Sequence, residues 1–207
     1  MLSVEALNFD YPIQGLSPGT HALLEQVSFK LSNQEILHIQ GANGSGKTTL
    51  LKCLTGLIRP DSGKIFYDGR DIWSDMTSYH QNISYLSYKN GINLALTVME
   101  HCQFELPFIP EPDKIATVLR QLSLWQVRSY PCHLLSSGQQ RRVALIHLFL
   151  SSSKLWLLDE PLIALDEAGV TLLISLLKEH LATGGQVVYT SHQALPWGSK
   201  SHREYTL

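Results

Sequence analysis

The segment 41–48 contains the residues whose types and spacing most clearly predict chemistry. It reads Gly-Ala-Asn-Gly-Ser-Gly-Lys-Thr and matches the phosphate-binding pattern G-x-x-x-x-G-K-[ST]. Its glycines let successive backbone N–H groups converge on an anion, and the helix after such a loop points its N-terminal dipole at the same place. In this pattern Lys47 reaches the β- and γ-phosphates, and the Thr48 hydroxyl is a ligand of Mg²⁺. The residues predicted to contact the nucleotide are Gly41, Ala42, Asn43, Gly44, Ser45, Gly46, Lys47, Thr48 and Thr49.

The residues on either side of this loop support the prediction. The apolar run 36–39 predicts a short buried strand, and 49–54 has the apolar face of a helix. The alternative is a glycine-rich turn that happens to precede a lysine, and it does not account for this order of strand, loop and helix. The sequence therefore predicts a nucleoside-triphosphate site.

Two acids, Asp159 and Glu160, follow the apolar run 155–158, which predicts a second buried strand. Carboxylates at the C-terminal end of a buried strand fit the ligand crevice of an open α/β sheet. Asp159 is predicted to hold the Mg²⁺ shell. Strand alternation predicts that Glu160 points the other way and polarises an attacking water. The alternative is a pair of solvated acids in a turn before Pro161.

The segment 135–140 predicts the start of a helix, because Ser136 and Gln139 have the spacing of a capping box. Capping does not explain Gly138 in the first turn. A small, exposed helix start with free N–H groups also suits a γ-phosphate. This segment is therefore a second candidate contact for the nucleotide.

Composition limits the class of protein. The chain has 207 residues, enough for one domain, and its formal net charge of −2 does not suggest a nucleic-acid partner. Three widely spaced cysteines predict reduced thiols of a cytosolic protein. No apolar stretch approaches the length of a membrane span, and no secretory signal is expected. Any action at a membrane is therefore expected to depend on another chain.

The coarse pattern changes along the chain. Short strand-like runs at 2–9, 27–31, 36–40, 64–67 and 83–86 come first. Helical patterns follow from Thr97 onward, at 113–122 and at 138–150. The end returns to strand and helix, with runs at 155–158, 167–181 and 187–189. This order predicts an α/β nucleotide-binding core with a helical insert at roughly 90–150.

In this order along the chain, the phosphate loop, the Ser136 segment and the Asp159-Glu160 strand resemble the ATP-binding cassette (ABC) ATPases. The resemblance implies a P-loop NTPase fold with a RecA-like core, an N-terminal antiparallel β-subdomain and a helical subdomain carrying the signature sequence, in a single domain at 1–207. It implies ATP and Mg²⁺ as ligands. The signature residues would be Ser136, Ser137, Gly138 and Gln139.

Three more residues take a role only through this resemblance. Asp166, in Ala164-Leu165-Asp166, looks like the D-loop aspartate at the nucleotide. His192 looks like the switch histidine that contacts the γ-phosphate, and it joins Lys47 and Glu160 as a predicted catalytic residue. Tyr11 matches the aromatic residue that stacks on adenine.

Two positions depart from the ABC pattern. Ser137 replaces the usual first glycine of the signature, a change from one small residue to another. The Q-loop glutamine is missing, and Tyr88 or Lys89 stands where it is expected. A glutamine carbonyl there contacts Mg²⁺ and water, whereas lysine has no acceptor. Coupling between nucleotide and partner is the property that this change affects.

The second half of the chain resembles one narrow ABC family, the CcmA family of ATP-binding subunits of the haem exporter in cytochrome c maturation. The resemblance rests on LSSGQQRRVAL at 135–145, LWLLDEPLIALD at 155–166 and Ser191-His192-Gln193. It implies a homodimer of ATPase subunits, bound peripherally to the cytoplasmic face of the inner membrane. Integral membrane subunits would be its partners, and haem-loaded chaperone would be released for cytochrome assembly.

Three alternatives remain open from the sequence. The chain could be the ATPase subunit of an ABC transporter for another substrate, which is the strongest competitor. It could be a soluble ABC ATPase acting on DNA or ribosomes, although it has neither a long coiled-coil segment nor a second cassette. It could also be a module that binds nucleotide without hydrolysis, which only the missing glutamine suggests.

Overall fold

The fold is built on two sheets. The computed structural model describes residues 1–11, 22–104, 112–195, 197 and 202–207. In these residues a four-stranded antiparallel sheet has the order β2-β1-β4-β5, and a five-stranded parallel sheet has the order β6-β7-β8-β3-β9. The strands are β1 (Leu2–Asp10), β2 (Ala22–Leu31), β3 (Ile36–Gln40), β4 (Ser62–Tyr67), β5 (Arg70–Asp71), β6 (Ile83–Leu86), β7 (Leu155–Asp159), β8 (Gln186–Thr190) and β9 (His202–Thr206).

Six α-helices connect these strands in the described ranges. They are α1 (Lys47–Leu54), α2 (Met76–Gln81), α3 (Val98–Phe104), α4 (Pro112–Gln121), α5 (Ser137–Leu150) and α6 (Glu167–Ala182). Short 3₁₀ turns lie at Ile72–Ser74, Trp125–Val127 and Cys132–Leu134. Helices α3 to α5 lie between β6 and β7, where the sequence predicts the helical insert. Its treatment as a subdomain at 90–150 stays a prediction.

The three central strands of the parallel sheet are apolar and covered on both faces. All five residues of β7 and of β8 are buried, as are four of the five residues of β3. Continuous apolar strands are typical of parallel sheets covered on both faces. Because the strands are parallel, β3, β7 and β8 have their C-terminal ends side by side, at Gln40, Asp159 and Thr190. The phosphate loop and the two acids are thereby brought together.

Most strands and helices lie where the sequence predicts them, and two of the three differences have a physical cause. Helix α2 was not predicted because it is short; the Asp75 carboxylate caps it, and the Tyr79 hydroxyl anchors it to the Leu54 carbonyl at 2.6 Å. Strand β9 was not predicted because its sequence, HREYT, does not alternate between apolar and polar residues. It is an edge strand of the parallel sheet and pairs with β3. Strand β2 begins at Ala22, earlier than the predicted 27.

A buried histidine joins the end of α6 to the parallel sheet. The ring of His180 stacks on Trp156 with centroids 3.7 Å apart, and its Nε2 lies 3.3 Å from the Gln186 carbonyl oxygen. A Cβ on Gly185 would lie 2.2 Å from this nitrogen, so only glycine fits beside the ring. Burial lowers the pKa of His180 to about 4.

This histidine predicts a pH dependence of stability. The folded pKa of about 4 lies below the unfolded value near 6.5, so the unfolded chain binds more protons, and stability falls as pH drops from 6.5 towards 4. We expect about 2 kcal/mol of unfolding free energy to be lost between pH 7.5 and pH 5 through this group. Urea unfolding at both pH values, with wild type and His180→Gln, measures it.

The variant should lose less stability than wild type over this pH interval. His133→Gln, at an exposed histidine, is the matched control and should keep the wild-type pH dependence. An equal pH dependence in His180→Gln and wild type would contradict the assignment.

Candidate nucleotide site

The phosphate loop needs glycine where it turns into α1. Gly46 has φ +95°, and a Cβ there would lie 2.8 Å from a Leu24 methyl carbon and 3.0 Å from the Leu23 carbonyl oxygen. Only glycine fits this backbone and this close approach. Lys47 follows as the first residue of α1, and its Nζ donates to the carbonyls of Gly41 at 2.7 Å and Ala42 at 3.0 Å. A lysine ammonium has three donors, so one is left for a ligand.

Two oxygens that suit Mg²⁺, from Thr48 and Asp159, lie side by side at the C-terminal end of the parallel strands. The Thr48 hydroxyl donates to Asp159 Oδ2 at 2.9 Å, and the Thr190 hydroxyl donates to the other oxygen, Oδ1, at 2.7 Å. Adjacent ligands of an octahedral Mg²⁺ also lie about 2.9 Å apart. Thr48 and Asp159, the two predicted metal ligands, therefore fit the ion, and Thr190 fixes the carboxylate.

Glu160 lies on the same side as Asp159, and the strand-alternation prediction is wrong. Strand β7 ends at Asp159, and Glu160 has φ +49°, so the chain turns and both acids line one cavity. The Glu160 N–H donates to the carbonyl and the hydroxyl oxygen of Thr190, each at 3.1 Å. Its Oε1 is buried with no hydrogen-bond partner among the described residues, and His192 Nε2 lies 3.6 Å away. A buried acceptor without a partner is suited to hold a water or a ligand.

These groups face one cavity of about 640 Å³, large enough for a nucleotide. Tyr11 stands at the cavity and packs edge-on against Phe9, with ring centroids 5.6 Å apart. Its ring is half exposed and offers a flat apolar face. The lining residues are Tyr11, Leu23, Asn43, Gly44, Gly46, Lys47, Thr48, Thr49, Tyr88, Asp159, Glu160, Ile163 and His192. Of the predicted loop residues, Gly41, Ala42 and Ser45 are not among them.

A fully buried arginine, Arg141, holds the backbone of the two acids. The sequence analysis did not identify it. From α5, Arg141 donates through Nη1 to the Ser87 carbonyl at 3.0 Å and to Asn90 Oδ1 at 3.1 Å. Its Nη2 donates to the carbonyls of Asp159 at 3.3 Å and Glu160 at 2.8 Å. Burial lowers the pKa of Arg141 to about 10, so it stays protonated at neutral pH.

Comparison with known proteins identifies the family. The sequence profile of the ABC transporter family matches residues 24–163. The cytochrome c biogenesis ATP-binding export protein CcmA of Legionella pneumophila is 44% identical over 207 residues, which is 100% of each chain. The chain belongs to the CcmA family of ABC ATPases. The CcmA protein of Yersinia pestis is 42% identical over 182 residues, covering 87% of this chain and 83% of its own.

The solved structures agree with the predicted fold. An ABC transporter ATP-binding protein from Pyrococcus furiosus superimposes with a TM-score of 0.81, covering 100% of this chain and 96% of its own, at 22% identity. The predicted fold class, an ABC cassette of the P-loop type, is therefore confirmed. In the part of the CcmA-family chain that the structure describes, no helix has both the length and the apolar character to cross a bilayer.

The signature segment of this CcmA-family chain does not line its own nucleotide cavity. Ser136 and Gln139 form the predicted capping box, with both hydrogen bonds present at 3.3 and 3.0 Å, and α5 follows. Gly138 packs closely against the D-loop segment, because a Cβ at this position would lie 3.1 Å from the Ala164 carbonyl oxygen. Asp166 accepts from the Gly169 N–H at 2.9 Å as the cap of α6 and pairs with Arg142 at 2.6 Å. Their contact with nucleotide stays a prediction.

The structure also distinguishes the two residues that occupy the place of the Q-loop glutamine. Tyr88 lines the cavity, whereas Lys89 does not. The Tyr88 side chain is 56% exposed, so its ring is accessible from solvent. A phenol offers an acceptor that lysine lacks. The motif pattern assigned neither Thr190 nor Arg141 to this site, and it named Tyr88 only as a departure from the Q-loop glutamine.

Proposed function

We propose that this chain hydrolyses Mg-ATP to power a membrane export complex for the biogenesis of c-type cytochromes. The observation that carries the ATPase part is one cavity lined by Lys47, Thr48, Asp159 and Glu160. It joins a cation for phosphates, a pair of oxygens for Mg²⁺ and a carboxylate with a free, buried oxygen. The export and cytochrome part comes from relatives in Legionella and Yersinia, whose names state that role.

In this proposal each side chain has one task. Lys47 and the N-terminal N–H groups of α1 hold the phosphates and stabilise charge that develops on the γ-phosphate. Glu160 Oε1 accepts a hydrogen bond from the attacking water, orients it and takes up its proton as general base. His192, 3.6 Å from that oxygen, contacts the γ-phosphate. Thr48 and Asp159 would hold Mg²⁺, which would supply positive charge to offset that of the phosphates.

A second copy of the chain would complete the site. Ser136, Ser137, Gly138 and Gln139 are exposed or half-exposed at the N-terminus of the 14-residue helix α5. They do not line their own cavity, yet a helix N-terminus suits a γ-phosphate. In a two-fold dimer the segment of one copy covers the nucleotide of the other, with Asp166 close by. ATP contacts both copies only in the closed dimer and therefore favours it.

Integral membrane subunits would be the partners, because the relatives in Legionella and Yersinia are named as export proteins. The chain would then lie at the cytoplasmic face of the inner membrane and reach the bilayer only through those subunits. The cargo step would be export of haem, or release of haem-loaded chaperone. With a net charge of −2, nucleic acid is not a proposed partner.

The cellular test uses Glu160→Gln as the only copy of the protein. We expect c-type cytochromes, measured by haem staining, to fall to background and to return with the wild-type gene, because cytochrome assembly would need ATP hydrolysis. Immunoblotting must show the variant at wild-type abundance. Normal staining with abundant variant would contradict the cytochrome role and leave the ATPase with another substrate.

A further inference from the structure

Two histidines and a glutamate lie together on one face of the parallel sheet, outside the nucleotide site. In the pairing of β3 with β9, His38 lies opposite Glu204 and Ile36 lies opposite His202. His202 and Glu204 are two residues apart on β9 and therefore point to the same face. Among the described residues, none of these three lines the nucleotide cavity. The mechanism proposed above makes no use of them.

The three side chains offer a ligand set for a metal ion. One ring nitrogen of each histidine and one carboxylate oxygen of Glu204 lie within 4.8 Å of one another. Two imidazoles and a carboxylate are a set that zinc uses when its fourth position is left to water. We propose that His38, His202 and Glu204 bind one divalent cation of the zinc class, such as Zn²⁺ or Co²⁺.

Each imidazole is already oriented through its other nitrogen, as in established metal sites. His38 Nε2 donates to the Ser191 carbonyl at 2.9 Å, and His202 Nε2 lies 2.9 Å from the Tyr189 hydroxyl. The His38 ring also stacks on Tyr189, with centroids 4.4 Å apart and planes at 5°. The Nδ1 atoms of the two rings are therefore the ones assigned to the metal.

Binding requires two small adjustments. The Gln40 amide, which lies 3.2 Å from His38 Nδ1, must turn away. Ligands of a tetrahedral zinc ion lie about 3.3 Å apart, so the three ligand atoms, which lie within 4.8 Å of one another, must draw closer. Glu204 is exposed on the edge strand β9, so both its approach and the entry of the ion are open. Buried His38 supplies the fixed end of the site.

Occupancy would have a structural consequence near the switch histidine. The metal would tie β9 to β3 and fix the ring whose Nε2 holds the Ser191 carbonyl, one residue before His192. A ligand that binds only the folded chain also raises its thermal stability. Binding of the ion should therefore be visible both in an absorption spectrum and as a rise in Tm, and neither measurement depends on ATP hydrolysis.

The test is a Co²⁺ titration of chelator-treated protein without nucleotide or Mg²⁺. We expect saturation at one ion per chain, a visible d–d absorption band and a rise in Tm. Glu204→Gln and His202→Gln should each weaken Co²⁺ binding at least tenfold and abolish the rise in Tm. Both replacements are polar and lie on the accessible edge strand, and their circular dichroism and metal-free Tm report whether they fold.

Two control variants separate this site from others. His133→Gln removes an exposed histidine elsewhere, and Asp159→Asn removes the carboxylate of the proposed Mg²⁺ site; both should bind Co²⁺ as wild type does. The proposal is overturned if wild type shows no saturable binding, or if folded Glu204→Gln and His202→Gln bind as tightly as wild type. It is also overturned if Asp159→Asn, rather than these two, abolishes binding.

Discussion

Replacing Glu160 with glutamine is expected to lower ATP turnover by about 100-fold or more while leaving ATP binding intact, because an amide cannot act as the general base. The buried Oε1 of Glu160 has no hydrogen-bond partner in the described chain, whereas Lys47 and Thr48, the predicted phosphate and Mg²⁺ contacts, are untouched. Phosphate release measures turnover, and fluorescent ATP measures affinity.

The same variant should trap the ATP-bound dimer. In the proposed cycle ATP stabilises the dimer and turnover dissociates it, so a variant that binds but does not hydrolyse ATP should elute at twice the monomer mass with Mg-ATP. Glu167→Gln, at an exposed acid in the first turn of α6, is the matched control and should turn over ATP like wild type. Wild-type turnover in Glu160→Gln would reject the assigned role of this carboxylate.

Replacing Arg141 with methionine is expected to cost about 3 kcal/mol of unfolding free energy. Methionine fills much of the same space but leaves four oxygens, three carbonyls and Asn90 Oδ1, without their buried donor. ATP turnover should fall as well, because the Glu160 carbonyl loses its 2.8 Å anchor. Urea unfolding gives the free energy, and phosphate release gives the turnover.

Arg142→Met is the control at the neighbouring position. Arg142 pairs with Asp166, whose side chain is 66% exposed, and ion pairs screened by solvent in this way contribute little to stability. The two variants remove the same charge from the same helix, so their difference isolates the buried contacts. Equal unfolding free energies in the two variants would show that the Arg141 contacts do not stabilise the fold.

The sequence predicts what is local in this protein. The phosphate loop lies between a strand and a helix as expected, because its motif and the apolar runs beside it are contiguous. The capping box at Ser136 and the boundaries of β3 and β6 are likewise as predicted. The predicted CcmA family is confirmed by full-length relatives. The nucleotide contacts of Tyr11, His192 and the signature residues remain predictions.

What the sequence does not predict depends on contacts between distant segments. The hydrogen-bond partners of Arg141 are far from it in sequence: Ser87, Asn90, Asp159 and Glu160 are separated from it by 54, 51, 18 and 19 positions. A single sequence contains no signal for such contacts. Thr190 carried a weak signal, because it ends a buried strand next to the one that Asp159 ends. The side taken by Glu160 was mispredicted because alternation holds only inside a strand, and β7 ends one residue earlier.

Thr190 is hydrogen-bonded to both acids and therefore restricts their motion relative to each other. Its hydroxyl holds Asp159, its carbonyl and hydroxyl hold the Glu160 backbone, and the chain continues from it through Ser191 to His192. The predicted metal ligand, base and switch residue are therefore held together by neighbouring strands of a buried sheet. Under the proposed function, we expect these three groups to move as one rigid unit. The motion that ATP drives is then expected between the two copies of the proposed dimer.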